Sequence, residues 1–206
     1  MKSHRLSTLA FAVLSLLGEA EQQGERALHP YRMQQLIKAR GKDQVVNVGQ
    51  RASLYRTIDR LRRSGLITVE EVAREGARPE RTTYALTDAG RSAWREWLLD
   101  ALATPTRHYP EFPAAIAFLP MLSSQEVLGQ LEKRQELLAA ELAGIEAQLS
   151  ADSDVPRLFV LEMEFLKATA EAELTWVASI VADLRAGTIA WSQDQLRALA
   201  AQARSQ

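Results

Sequence analysis

The chain has 206 residues, 47% of them apolar, a composition typical of a globular protein and not of a disordered one. Its apolar runs are shorter than the roughly 18 residues that a membrane span needs. It contains no cysteine, which excludes disulfides, thiolate zinc sites and cysteine nucleophiles and fits a cytoplasmic location. The net charge of -1 hides an asymmetry, since residues 1–97 hold 17 basic and 11 acidic residues and residues 98–206 hold 8 and 15. This favours a polyanion-binding half followed by a partner-binding half.

Apolar residues at helical spacing predict the first two helices. The first begins at Leu6 and is expected to stop at Gly18. The second begins at Pro30, a favourable residue for a first helical turn, and ends at Gly41. Its buried side is expected to carry Tyr31, Met33, Leu36 and Ile37.

The third predicted helix, residues 52–63, separates apolar from charged residues. Leu54, Ile58 and Leu61 fall at i, i+4 and i+7 and form one apolar stripe. At about 100° per residue, the opposite direction is occupied by Ala52, Arg56, Arg60 and Arg63, flanked by Arg51, Ser53 and Tyr55. Residues 32–63 hold nine basic residues against two acidic ones. The sequence therefore predicts a helix with an exposed cationic face.

Two short segments rich in β-branched and aromatic residues, 66–72 and 81–87, predict a β-hairpin. The turn between them contains glycine and proline, and arginines lie near its tip: Arg74, Arg78 and Arg81. Thr87 is a suitable N-cap for a linking helix that carries Trp94 and Trp97.

A boundary at Thr104-Pro105 divides the chain into a predicted N-terminal domain, residues 1–104, and a helical domain, residues 105–206. After one short helix, a long helix carries a heptad-like seam of Leu128, Leu131, Gln135, Leu138, Leu142, Ile145 and Leu149. A last long helix, residues 156–186, is expected to bury Leu158, Leu161, Phe165, Ala172, Trp176, Ile180 and Leu184. The expected fold class is mainly α with one small hairpin.

Three helices followed by a hairpin, with the third helix basic, is the order of a winged helix-turn-helix. The major groove of B-DNA admits an α-helix, whose side chains reach base edges while neighbouring cations meet phosphates. The hairpin would then contact the adjacent minor groove or backbone. This order predicts an N-terminal module that binds double-stranded DNA.

The segments SLYRTIDRLRRSGLI (53–67) and GARPERTTYALTDAGR (76–91) resemble the PadR family of transcriptional regulators. HPYRMQQL (29–36) is similar to the start of that family's second helix. AFLPMLSSQEV (117–127), the heptad-like helix and PRLFVLEMEFLKATAEAELTWV (156–177) resemble the C-terminal helical domain of its longer members.

The resemblance implies a homodimeric, repressor-like protein that binds a pseudo-palindromic operator. A separate hypothesis is that a small-molecule effector releases it from DNA by preferring a dimer state of lower operator affinity. Carried over by position, the DNA-contacting residues are Gln50, Arg51, Ser53, Tyr55, Arg56, Arg78 and Arg81, to which the basic face adds Arg60 and Arg63. Tyr55 has two interpretations, packing against the second helix or a hydrogen bond to a phosphate. Repression and activation both stay open.

The tryptophans Trp94, Trp97 and Trp176 could line a pocket for a flat aromatic effector, or anchor a core or a dimer interface. The heptad seam and the last helix predict a dimer interface of Leu128, Leu131, Leu138, Leu142, Ile145, Phe165 and Trp176. The three histidines have no ligand spacing, and no nucleotide-binding or catalytic motif is present, so neither a metal, nor a cofactor, nor an enzyme is expected.

Two further hypotheses differ from a DNA-binding regulator. One is a winged-helix protein-interaction adaptor that holds a partner with its acidic C-terminal helices and does not bind DNA. The other is an enzyme with a small-molecule site beside Trp94 and Trp176. The second lacks any spacing of a nucleophile, a base or a metal ligand.

Overall fold

The computed structural model describes residues 6–47, 51–73, 81–105, 110–192, 194–197 and 202, apart from the side chains of residues 71–73 and 81. The chain forms two compact units, Met1–Arg107 and His108–Gln206. The described part of the first unit contains four α-helices and one hairpin, in the order α1 (Thr8–Gln22), α2 (Pro30–Ala39), α3 (Arg51–Arg63), β1 (Ile67–Ala73), β2 (Arg81–Leu86) and α4 (Asp88–Ala103). The expected fold class, mainly α with a small hairpin, is confirmed.

The core of the first unit lies where α1, α2 and α3 meet. The predicted stripe of α3 is confirmed, since Leu54, Ile58 and Leu61 are at most 2% exposed. They pack with Leu14 and Met33 in one cluster. Burying each such side chain contributes about 1.5–3 kcal/mol, so this stripe fixes the rotation of α3 about its axis.

Helix α1 does not stop at Gly18 as expected, but continues to Gln22. Gly18 is buried, and a Cβ there would lie 3.3 Å from ring atoms of Trp94. The glycine therefore gives room to an aromatic ring of α4 and does not end the helix. A second expectation was also wrong: Tyr31 is 50% exposed, because Pro30, Met33 and Ile37 form the buried side of α2.

The predicted hairpin is confirmed as an antiparallel pair whose register runs from Ile67 opposite Leu86 to Ala73 opposite Arg81. The loop before α2 joins it, since the backbone groups of Leu28 and Tyr84 exchange two hydrogen bonds of 3.0 Å. The loop before α2 thus holds strand β2 of the hairpin against the helical core.

Thr87 caps α4 as predicted, with its hydroxyl accepting a 3.0 Å hydrogen bond from the Gly90 amide. The same hydroxyl donates to the Gly65 carbonyl oxygen at 2.7 Å. A Cβ on Gly90 would lie only 1.9 Å from the carbonyl oxygen of Leu66, so α4 lies directly against the segment that joins α3 to β1.

The second unit is built on a long helical pair. The described α-helices include α5 (Glu111–Ala117), α6 (Ser124–Ala151) and α7 (Leu161–Ala186). Ser123 and Glu126 form a capping box at the start of α6. The two long helices run antiparallel, since the first half of α6 packs with the end of α7 and Ile145 packs with Met163.

The heptad-like seam is buried inside one chain, which corrects its assignment to an interface between subunits. Leu131, Leu138 and Ile145 are 5%, 8% and 4% exposed. Leu128 and Leu142 are half-buried against the same clusters. The physical reason is that α7 follows α6 after a short turn and covers this seam itself.

The buried face of α7 also differs from the expected one. It consists of Met163, Ala170, Val177 and Val181. Leu161, Phe165 and Trp176, expected to be buried, are 45%, 69% and 39% exposed, and Leu158 lies before the helix and is 71% exposed. Helix α7 is therefore apolar on two faces, and α6 covers only one of them. Among the described residues, no helix combines the length and the apolar character that crossing a bilayer requires.

Candidate nucleic-acid interface

The exposed face of α3 carries five arginines. The buried stripe turns Arg51, Arg56, Arg60, Arg62 and Arg63 away from the core, and all five are exposed. The positions predicted from the helical spacing are therefore accessible to a ligand. Such a row of guanidinium groups can contact phosphates, and Arg is also the side chain that most often reads guanine in the major groove.

Two of these arginines make hydrogen bonds within the first unit, Arg56 to residues near the start of α3 and Arg60 to the residue that caps α1. The Arg56 Nε donates to the Ala52 carbonyl oxygen at 3.2 Å, and its Nη2 lies 3.4 Å from the Ser53 hydroxyl. The Arg60 Nη2 donates to the hydroxyl of Ser7, the N-cap of α1, at 3.2 Å. Since each guanidinium has five N–H donors, both keep donors for another partner.

A carboxylate lies among these arginines. Asp59 accepts hydrogen bonds from the Nη2 atoms of Arg62, at 3.1 Å, and of Arg63. The hydrogen bond from Arg62, followed by that from Arg63, holds the pKa of Asp59 below its ordinary value. Sequence reasoning missed this residue as part of the face, although its position three residues after Arg56 and four before Arg63 is a signal for it.

Tyrosines flank the start of α3. The guanidinium carbon of Arg51 lies 5.9 Å from the centre of the Tyr31 ring, within the range of a cation–π contact. Tyr31 and Tyr55 are 50% and 49% exposed. Tyr31, which the sequence assigned to the core, therefore belongs to the edge of the arginine face.

The remaining predicted contacts are placed only in part. Ser53 is half-buried on α3. Arg81 begins β2, but its side chain lies outside the described part of the structure, and Gln50 and Arg78 lie outside the described residues altogether. Arg74 does so as well. The contribution of the wing arginines stays a prediction.

The three tryptophans of the predicted effector pocket belong to different units. Trp94 donates from its indole nitrogen to the Ser15 hydroxyl at 3.0 Å, and Trp97 stacks on Phe11 with ring centres 4.0 Å apart. Trp176 of the second unit meets Phe112 edge to face at 6.0 Å. Each thus has an aromatic or polar neighbour in its own unit, as an anchor residue does, and the pocket stays a prediction.

Comparison with known proteins matches residues 13–96 to the family model described as "Transcriptional regulator PadR-like family". The negative transcriptional regulator PadR of Bacillus subtilis is 30% identical over 107 residues. That alignment takes in 50% of this chain and 58% of the relative.

The fold is similar to that of several solved structures. Bacillus subtilis PadR in complex with operator DNA matches with a TM-score of 0.66 and 20% identity, over 86% of this chain and 99% of that one. The same protein in complex with p-coumaric acid matches at 0.67 and 20%, over 87% and 99%. The Vibrio cholerae virulence activator AphA matches at 0.61 and 21%, over 87% and 99%. The predicted winged-helix fold with long C-terminal helices is confirmed, and so is the resemblance to PadR-like transcriptional regulators, whose family model spans residues 13–96.

Proposed function

We propose that this protein is a cytoplasmic DNA-binding transcriptional regulator that places α3 in the major groove of its operator. The observation that carries the proposal is the arginine face of α3, which the buried residues Leu54, Ile58 and Leu61 turn toward solvent. A helix with this face can enter a groove about 12 Å wide and neutralise the phosphates on both sides. Arg51, Arg56, Arg60 and Arg63 supply the cations, and Gln50, Ser53, Tyr55, Arg78 and Arg81 complete the proposed contact set.

We infer repression as its mode of action. The similar protein of Bacillus subtilis is a negative transcriptional regulator and has been solved with operator DNA, which supports both DNA binding and this sign of regulation. The similar structure of AphA belongs to a virulence activator, so a reporter gene under the selected operator is needed to test the sign.

We infer that the regulator is a homodimer on a pseudo-palindromic site. The second apolar face of α7, with Leu161, Phe165 and Trp176, is the support for this, because exposed large apolar side chains in a row are typical of an interface. Two copies would present two α3 helices to successive turns of the duplex, about 34 Å apart.

We also propose a small aromatic effector that lowers operator affinity. Bacillus subtilis PadR has been solved with p-coumaric acid, which makes that compound the first one to test. An effector acts only if it prefers the dimer state with lower DNA affinity, and it changes operator affinity by no more than that preference. Trp94, Trp97 and Trp176 are the candidate contacts.

The DNA-binding proposal is tested by selecting bound sites from random duplexes and titrating the winning sequence against salt. Arg56→Ala and Arg60→Ala should each weaken binding and reduce the slope of log K against log salt by up to about 0.9, one phosphate contact each. Arg185→Ala is the matched control, because that arginine pairs with Glu132 in the second unit. Absence of any DNA retention at low salt would refute the proposal and favour the protein-interaction adaptor.

The homodimer is tested by sedimentation of Phe165→Asp. Phe165 is 69% exposed, so a charge there should leave the single chain folded and disrupt an interface that covers it. Leu137→Asp, at an exposed position of α6, is the control. A Phe165→Asp protein that sediments as a dimer would remove this face of α7 from the interface.

A further inference from the structure

The arginine face of α3 is not uniformly positive, because Asp59 lies within it. At about 100° per residue, Asp59 lies about as close as Arg60 to the direction opposite the buried stripe. The side chain of Asp59 is 42% exposed, so it is accessible on that face. The five arginines of α3 and this one carboxylate leave a net charge of +4 on the helix.

Asp59 acts on the last turn of α3 through two contacts. Its two carboxylate oxygens accept from two different guanidinium groups, Oδ1 from Arg62 and Oδ2 from Arg63. The two arginines are themselves 49% and 72% exposed, so each pair is in contact with solvent and a phosphate could compete for it. The carboxylate offsets positive charge at the place where a DNA backbone would approach.

We propose that Asp59 limits the sequence-independent attraction of α3 for DNA, an inference that rests on the proposed DNA-binding function. Non-specific binding comes almost entirely from counterion release by cations that meet phosphates. A fixed anion on the same face repels those phosphates and offsets part of the charge of Arg62 and Arg63. Base contacts then contribute a larger share of the total affinity, while the ratio of operator to non-specific affinity stays the same, because both kinds of site lose the same backbone attraction.

An aspartate is ionised throughout the neutral range, and the hydrogen bonds from Arg62 and Arg63 lower the pKa of Asp59 further. Protonation therefore does not relieve the repulsion at the pH of a cell. A different role is available to the same contacts: pairs at i,i+3 and i,i+4 stabilise helices slightly. A purely stabilising pair would change the melting temperature and leave the salt dependence of DNA binding unaltered.

The test compares Asp59→Asn with the wild-type chain on two duplexes, the selected operator and a random sequence of equal length. Asparagine keeps the shape of the side chain and removes its charge. We expect both duplexes to bind about two- to fivefold more tightly near 50 mM salt, with a salt slope steeper by up to about 0.9. The gain should fade at higher salt, because screening shortens the range of the lost repulsion.

Two further variants serve as controls. Asp100→Asn makes the same change of net charge on α4, where the carboxylate accepts from the Thr104 hydroxyl, and should leave both affinities unchanged. Asp59→Glu restores the charge and should return both affinities to wild type. Melting curves of each variant confirm that the compared proteins are folded.

The outcomes separate this inference from the function on which it rests. If the wild-type chain binds neither duplex, the proposed function fails. If the wild type binds and Asp59→Asn binds equally or more weakly, Asp59 does not limit affinity, and the inference alone is wrong. A gain confined to duplexes with one particular base at one position would assign Asp59 to base reading and would also overturn it.

Discussion

Replacing Gly90 by alanine should destabilise the first unit, although alanine is the better helix former. Gly90 lies in the first turn of α4, and an added Cβ would be 1.9 Å from the Leu66 carbonyl oxygen and 2.9 Å from its carbon. Alanine gains about 0.5–1 kcal/mol over glycine inside a helix. Overpacking costs about 1–3 kcal/mol, and a backbone oxygen cannot rotate away as a side chain can. Because of this, we take the upper end of that cost and expect a net loss of about 2 kcal/mol.

Gly129→Ala provides the matched control. Gly129 lies within α6, and a Cβ there would have no neighbour within 4 Å. The same substitution should therefore stabilise the protein by about 0.5–1 kcal/mol, the opposite sign. Urea unfolding followed by far-UV circular dichroism measures both changes as shifts of the midpoint. Equal stabilisation by the two alanines would show that α4 does not contact the Leu66 carbonyl group, and would refute the reasoning.

Three other predictions concern the second unit and the cap of α4. Leu138→Ala should lower the free energy of unfolding, measured in urea, by about 2–5 kcal/mol, because Leu138 is buried between α6 and α7. The control is Leu137→Ala at the exposed neighbouring position, which should change that free energy by less than about 0.5 kcal/mol. Thr87→Val should lower the free energy of unfolding by about 1–2 kcal/mol, because the capping hydroxyl is lost, and Thr87→Ser should retain most of the stability of the wild type. If both variants lost the same stability, the hydroxyl would not be the cause. Hydrogen bonds from the Ser123 hydroxyl and amide lower the pKa of Glu126 in the folded protein. Ionised Glu126 therefore stabilises the fold above its unfolded pKa, near 4.3, and this stabilisation is lost as the pH falls through the lower folded pKa. The difference in melting temperature between wild type and Glu126→Gln should therefore shrink as the pH falls below about 4, and a difference that stays constant would contradict this.

Local periodicity predicted α3 of the first unit well, because that helix has a single apolar face. Leu54, Ile58 and Leu61 identified both the helix and its buried side. The exception at Gly18 has a tertiary cause: whether a glycine ends a helix or gives room to a ring depends on Trp94, 76 residues later in the sequence. The residues next to Gly18 in the sequence do not predict that contact.

The second unit shows where periodicity loses information. A heptad seam such as that of Leu131, Leu138 and Ile145 predicts a helix packed against another helix, but it does not state which chain supplies the partner. Helix α7 is apolar on two faces, so helical spacing alone does not predict which of the two is buried. Of the expected face, Phe165 and Trp176 proved to be exposed, whereas Ile180 and Leu184 are partly buried against α6.

The arginine face was predictable as a set of positions but not as an electrostatic surface. Helical spacing identified Arg56, Arg60 and Arg63 as exposed. It did not reveal that Arg60 contacts Ser7 of α1, or that Asp59 binds two arginine neighbours. Those contacts depend on the side-chain conformations and on the packing of α1 beside α3.

The exchange of hydrogen bonds between Leu28 and Tyr84 limits where an extended strand of another molecule can pair with the hairpin. A two-stranded ribbon is marginally stable alone and leaves two rows of backbone donors and acceptors open to any extended chain. Here the segment before α2 occupies part of the row on β2. An intruding strand would have to displace that segment to pair along the whole of β2, so the outer side of β1 is the more open edge of the described strands.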